Sequence, residues 1–174
     1  QEVKDGAEVV IFEASSHGID QNRLEGIKFD SFAFTNLSHD HLDYHGTFEN
    51  YARCKMSLLH ALPASSSAWI PYQKECLGLA QGAVCNWRTW SVHDSAADAF
   101  AKVKVLEDGI VLEGHYQKAT FSIKSSLLGE HNGQNLFLAA LILYDAGIAT
   151  EDISWALSQV GSAAGRLQEV PVPV

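Results

Sequence analysis

The chain has 174 residues, 47% of them hydrophobic and 19% charged, and a formal net charge of −9. That is one domain with enough apolar content for a core, which excludes an intrinsically disordered chain. The acidic balance excludes nucleic acid as a partner, since phosphate neutralisation needs a basic face, and no apolar run is long enough for membrane insertion. An anionic nucleotide ligand remains compatible if a helix N-terminus, a local positive cluster or a bridging metal receives it. Cys54, Cys76 and Cys85 are odd in number and form no CxxC pair, which points to a reduced, cytoplasmic protein.

In chain order, residues 7–12 (AEVVIF) form a continuous apolar run that predicts a buried parallel strand. Glu13 follows it, where open α/β sheets place their ligands; the alternative is that Glu13 caps the next helix. Residues 19–24 predict a helical turn ended by Gly26, and residues 29–37 a second strand. A histidine-dense stretch follows, with His39, His41 and His45 between that strand and an amphipathic helix over residues 47–62. Residues 66–70 predict a third strand, 73–81 a short helix and 84–92 another strand. The pattern then changes. Residues 100–106 and 110–116 around Glu107-Asp108-Gly109 predict a hairpin with Asp-Gly as its turn, and residues 119–123 a third antiparallel strand extending the sheet edge. The strongest helical periodicity spans residues 129–147, with Gly147 as C-cap; Thr150 caps a last helix over 151–160. The proline-bearing tail, residues 166–174, predicts a linker after a domain over residues 1–165. The fold class expected is α/β, a mostly parallel sheet flanked by helices with a small antiparallel meander.

The chemistry concentrates in residues 35–55, TNLSHDHLDYHGTFENYARCK. A carboxylate (Glu13) and an imidazole (His41) are both acceptable ligands for a divalent cation, and Mg²⁺ keeps several waters, so it needs few protein ligands. Lys55 lies at helical spacing on the apolar stripe of Phe48, Tyr51, Ala52, Leu58, Leu59 and Leu62. A lysine on a buried face is partly neutral, and a neutral amine can add CO₂ to become an anionic, metal-binding carbamate; alternatively Lys55 snorkels out. The histidines do not follow zinc-site spacing. On the residues alone the reading ends at a divalent-metal or phosphate site at the strand ends.

Three blocks carry a resemblance: EASSHGIDQNR from Glu13, FTNLSHDHLDYHG from Phe34, and YARCK from Tyr51. Together they resemble the central, P-loop-type domain of the Mur ligases, in the branch that adds the third amino acid of the peptidoglycan stem peptide. The resemblance returns at GEHNGQN from Gly129 and at Gly165-Arg166-Leu167. It implies an ATP-dependent amide-bond ligase acting on UDP-MurNAc-L-Ala-D-Glu and an amino acid through an acyl phosphate, as a cytoplasmic monomer with two Mg²⁺ sites. By the same resemblance Glu13 and His41 are Mg²⁺ ligands, and Lys55 is an N6-carboxylysine that helps hold a second Mg²⁺; the three form the catalytic set. Ser15, Gln21 and Arg23 match substrate contacts. Asn132 matches a residue near the adenine of ATP, and Arg166 an arginine that reaches toward the nucleotide.

There are departures from the family pattern. His39 stands where arginine is usual, and Glu130-His131-Asn132-Gly133 replaces a commoner Phe-Asn-Val form. The glycine-rich P-loop is absent from these residues and is expected before Gln1, with the UDP-binding and amino-acid-binding domains also outside, so these 174 residues alone are expected to be inactive. The competing readings are a metal-dependent hydrolase built on the histidine-rich loop and a non-catalytic substrate-binding fragment. Folylpolyglutamate synthetase shares the general plan but lacks the DHLDYHG and SSHGxxQxR blocks.

Overall fold

The computed structural model of the chain describes residues 6, 9–38 and 41–161. Among them a six-stranded sheet runs in sequence order: β1 (Ser31–Ala33), β2 (Ser67–Pro71), β3 (Asn86–Ser91), β4 (Ala99–Leu106), β5 (Gly109–Tyr116) and β6 (Ala119–Ser125). The first three pairings are parallel, and β4–β5–β6 is an antiparallel meander continuing the same sheet. Six helices accompany them: α1 (Ser16–Asp20), α2 (Leu42–His45), α3 (Phe48–Ala61), α4 (Lys74–Ala80), α5 (Glu130–Asp145) and α6 (Thr150–Ser158).

Strand alternation divides the core in two. Along β2, Ala68 and Ile70 face a cluster with Met56 and Leu59 of α3 and Cys76 and Ala80 of α4. Trp69, between them, faces the opposite cluster with Trp90, Phe121 and the α5 residues Phe137 and Leu141. Two glycines set how closely α5 lies on the meander. A Cβ at Gly133 would come within 2.5 Å of Val103 on β4, and one at Gly114 on β5 within 2.7 Å of the Phe137 ring.

A half-buried network that local patterns do not reveal ties β3 to the end of α5. Arg88 donates two hydrogen bonds to the Asp145 carboxylate and one to Tyr116 Oη (3.0 Å), and Trp69 Nε1 donates to Asp145 Oδ2 (2.8 Å). The Arg88 guanidinium lies 4.3 Å from the Trp69 ring. Burial opposes the charge on Arg88, but the bonds to Asp145 and Tyr116 outweigh it and hold the guanidinium above its ordinary value.

The β3–β4 pairing is parallel with only seven residues between the strands, whereas a parallel crossover ordinarily needs a dozen or more. The register explains it. Only Trp90↔Ala99 and Ser91↔Phe100 pair, so β4 starts beside the end of β3 and carries on past it. Asp98 fastens this joint: its carboxylate accepts from the Thr89 backbone N–H (2.8 Å) and hydroxyl (2.7 Å), and its own N–H donates to Thr89 Oγ1 (2.9 Å).

Several expectations change. The apolar run expected as a buried strand forms no strand at residues 9–12, which are 71, 56, 74 and 44% exposed. A buried parallel strand needs neighbours, and β1 pairs only with β2 among the described residues. The second strand is confined to Ser31–Ala33; beyond it only the Phe34 N–H continues the ladder, to Trp69 O (2.8 Å), before the chain leaves the sheet. The first hairpin turns on Glu107 and Asp108, opposite Leu106↔Gly109, and Gly109 (φ 151°) opens β5 instead of sitting in the turn. A Cβ there would lie 2.1 Å from Ser125 O. Thr150 is the first residue of α6, not its cap; its hydroxyl donates to Glu151 instead. Gly147 takes φ 86° and donates to Tyr144 O just after α5, as a helix-ending glycine does. The linker over residues 166–174 and Arg166 lie outside the described residues, as does His39.

Candidate active site

The site is assembled from three short segments that meet beside β1. The first is α1. Ser15 caps it, its Oγ accepting from the Gly18 N–H (3.1 Å), so the capping role open to Glu13 belongs to Ser15. Glu13 is exposed two residues earlier. The far end of α1 unwinds into turns with Asn22 at φ 54° and Gly26 at φ 83°. Here Arg23 donates to Gln21 Oε1 (2.6 Å), and both side chains are exposed. Cys54 of α3 donates from its thiol to Ser16 O (3.2 Å). Burial and the nearby Asp20 push that thiol up, which keeps it protonated as a donor.

The second segment is α2, which no sequence pattern indicated. His41 opens it at φ 53°, ψ 28°, a left-handed conformation that costs an L-residue about 1–2 kcal/mol. Its carbonyl accepts from the N–H groups of Tyr44 and His45 (3.2 and 3.0 Å). Non-glycine residues held this way concentrate at functional positions. The His41 ring lies edge-on to His17 of α1 (centroids 5.0 Å) and faces Tyr51 of α3 (6.2 Å). His17 also packs on Tyr44 (4.1 Å) and His45 (5.8 Å).

The third segment is α3, capped by Thr47, whose hydroxyl accepts from the Asn50 N–H (3.2 Å). Its buried face carries Tyr51, Ala52, Met56 and Leu59; Phe48 and Leu58 of the expected stripe are half-buried, and Met56 replaces them. Lys55 is half-buried on that side. Its Nζ donates to Asn36 O (3.0 Å), lies 3.3 Å from Tyr51 Oη and sits 4.7 Å from the Phe34 ring centroid. The lysine is therefore held inward by specific acceptors and aromatic faces, not extended into solvent. Trp90 Nε1 donates to Phe34 O (3.2 Å) and anchors the strand end from which Asn36 projects its carbonyl.

His41 and Lys55 thus share one neighbour, Tyr51. Asn132 stands apart, in the first turn of α5, with its amide donating to Leu128 O (2.8 Å). Sequence reasoning missed His17 and Tyr44, although both lie inside the quoted blocks; the only local signal was an unusual density of aromatic and imidazole rings.

Among the described residues no three His, Cys, Asp or Glu side chains gather closely enough to hold a metal. The donor set suits a hard cation that retains water better than a closed zinc site. Lys55 also suits a carbamate. A carbamate nitrogen keeps an N–H that can donate to a carbonyl such as Asn36 O, while its oxygens accept from a hydroxyl such as Tyr51 Oη.

His41 and the inward Lys55 gather past the end of β1, the side on which α/β proteins with parallel strands bind their ligands. The Mur ligase middle domain matches residues 1–143, and the chain belongs to the Mur ligase family. It is 36% identical over 172 residues to the UDP-N-acetylmuramoyl-L-alanyl-D-glutamate–2,6-diaminopimelate ligase of Pseudomonas syringae, covering 96% of this chain and 35% of that protein. A solved structure of a ligase of the same name superposes with TM-score 0.83 at 31% identity, over 98% of this chain and 36% of the other. The MurF ligase of Thermotoga maritima in complex with ADP shares the fold at TM-score 0.71 and 16% identity, over 85% of this chain and 34% of that one. The chain spans about a third of the length of the relatives it matches.

Proposed function

We propose that these residues form most of the ATPase domain of a longer ligase, with the domain ending near residue 165 and a linker over residues 166–174. The ligase joins an amino acid to UDP-MurNAc-L-Ala-D-Glu at the expense of ATP. The observation that carries the reading is the inward Lys55, hydrogen-bonded to Asn36 O and Tyr51 Oη and sharing Tyr51 with His41. The relatives named 2,6-diaminopimelate ligases make that amino acid the first to test.

In this reading the substrate carboxylate attacks the γ-phosphorus of ATP, ADP leaves, and the incoming amine displaces phosphate from the acyl phosphate. Two anions must meet, and Mg²⁺ would supply the charge that offsets their repulsion. Glu13 and His41 are the residues to hold one ion, and a carbamylated Lys55 to help hold a second. Ser15, Gln21 and Arg23 face the UDP-muramoyl dipeptide; Asn132 and Arg166 serve the nucleotide. The three cysteines, all unpaired, fit a reducing, cytoplasmic setting.

The test is phosphate release by the full-length protein. It should require ATP, UDP-MurNAc-L-Ala-D-Glu and the amino acid together, with a tripeptide product by mass spectrometry. Hydrolysis without ATP, or release indifferent to the amino acid, would sink the reading. The 174-residue chain by itself should turn over no ATP.

A further inference from the structure

We propose that Tyr44 and Asp20 are positioning residues for the UDP-muramoyl dipeptide, acting through Gln21 and Arg23; this rests on the reading that Gln21 and Arg23 contact that substrate. The loop bearing them needs an external brace. α1 is only five residues long, and an isolated helix of that length does not hold itself. Beyond it Asn22 and Gly26 both sit at positive φ. Cys54 braces the start of α1 through Ser16 O, and Tyr44 braces its end.

The brace is specific in its chemistry. Tyr44 Oη donates to Asp20 Oδ2 (2.8 Å), a charge-assisted bond that fixes the direction of the phenolic hydrogen. Its lone pairs then face the Gln21 amide, whose Nε2 donates to Tyr44 Oη at 3.4 Å. With Nε2 committed there, Oε1 is turned to Arg23 and accepts from its guanidinium at 2.6 Å. A flipped amide would set NH₂ against NH₂, so the orientation of Gln21 follows from the phenol. The guanidinium of Arg23 is aimed in turn, with further N–H groups in its fork for an anionic ligand. Tyr44 also reaches the other half of the site, since its ring packs on His17, which lies edge-on to His41. One side chain on α2 therefore sets the substrate loop in register with the helix that begins at His41.

The test uses the full-length ligase and four variants: Tyr44→Phe, Asp20→Asn, their double and Arg23→Ala. Tyr44→Phe keeps the ring and removes the hydroxyl, so its melting temperature should match wild type. KM for UDP-MurNAc-L-Ala-D-Glu should rise about 5- to 10-fold in each single variant, the scale of one ordinary net hydrogen bond. The double should be no worse than about twofold beyond either single, because both break the same chain. KM for ATP and kcat should stay within about twofold. An unchanged KM for the UDP substrate in Tyr44→Phe, an equal rise for ATP, or multiplicative effects in the double would overturn the proposal. Arg23→Ala separates the two levels. If it leaves that KM unchanged, the substrate assignment fails and the brace with it; if it raises KM while Tyr44→Phe does not, the brace alone fails.

Discussion

Lys55 is held by contacts that suit both of its chemical forms, and this makes its role testable. Lys55→Ala in the full-length protein should lower turnover about a hundredfold or more, as loss of a charge-stabilising group does. A short carboxylic acid in the buffer should restore part of it by occupying the vacated space. A folded variant without rescue counts against a carbamate. Cys76 gives a second prediction at this scale. Burial, with Glu75 adding, pushes its thiol up to about 11 from an ordinary 9.0. The folded protein therefore keeps a proton that the unfolded chain releases first. This contribution to stability is complete below pH 9 and is lost as pH rises toward 11. Urea titrations across that interval should show a falling unfolding free energy, with a shallower fall in Cys76→Ala. The place of Lys55 on the apolar stripe was legible because helical spacing is local, but its inward course was not, since the same spacing allows the side chain to snorkel out. The phenol–carboxylate bond of Tyr44 to Asp20 was not, since a side-chain contact across 24 positions leaves no periodic trace.

At the scale of elements, the closeness of α5 to the meander predicts two stability changes. Gly114→Ala drives a methyl into the fully buried Phe137 ring and should destabilise by about 1–3 kcal/mol, the usual cost of overpacking, read as a drop in melting temperature. Asp145→Ala leaves Arg88 and the Trp69 N–H without their acceptor in a site where the two charged side chains are 19% and 15% exposed. About 3 kcal/mol should be lost, the lower end for breaking a buried pair. Adding Arg88→Met should recover part of it; a double variant less stable than Asp145→Ala contradicts the account. The meander and α5 were readable because alternation and helical periodicity persist over seven residues or more. α2 was not, being one turn long and opened by a left-handed histidine. The extent of β1 was missed for a related reason: an apolar run records burial, and Phe34 is buried in the cluster with Met56 and Leu59 of α3 after the strand has ended.

At the scale of the molecule, residues 9–12 join four exposed apolar side chains in a row of high β-propensity. Such a segment is a template for strand addition between chains. The 174-residue chain expressed alone should self-associate with rising concentration, and Val9→Lys with Ile11→Lys should return it toward a single species in sedimentation. Equal association in both would place the sticky surface elsewhere. The apolar pattern here predicted a buried strand that residues 9–12 do not form, because pairing depends on partners that a run of residues cannot specify.

The joint between β3 and β4 has a consequence for how the molecule opens. Two ladder pairs and the Asp98 clasp are all the sheet ladder offers between the parallel segment and the meander, and on one face the cluster of Trp69 and Trp90 with α5 and the Arg88–Asp145 pair bridge the two. The meander with α5 and α6 is built from contacts close in sequence, while β1–β2–β3 draws on longer loops. The parallel edge should therefore open before the meander half, which protects its amides longest in native-state hydrogen exchange. Replacing Asp98 by alanine should widen the gap in protection between the halves, leaving the exchange rates inside the meander nearly untouched.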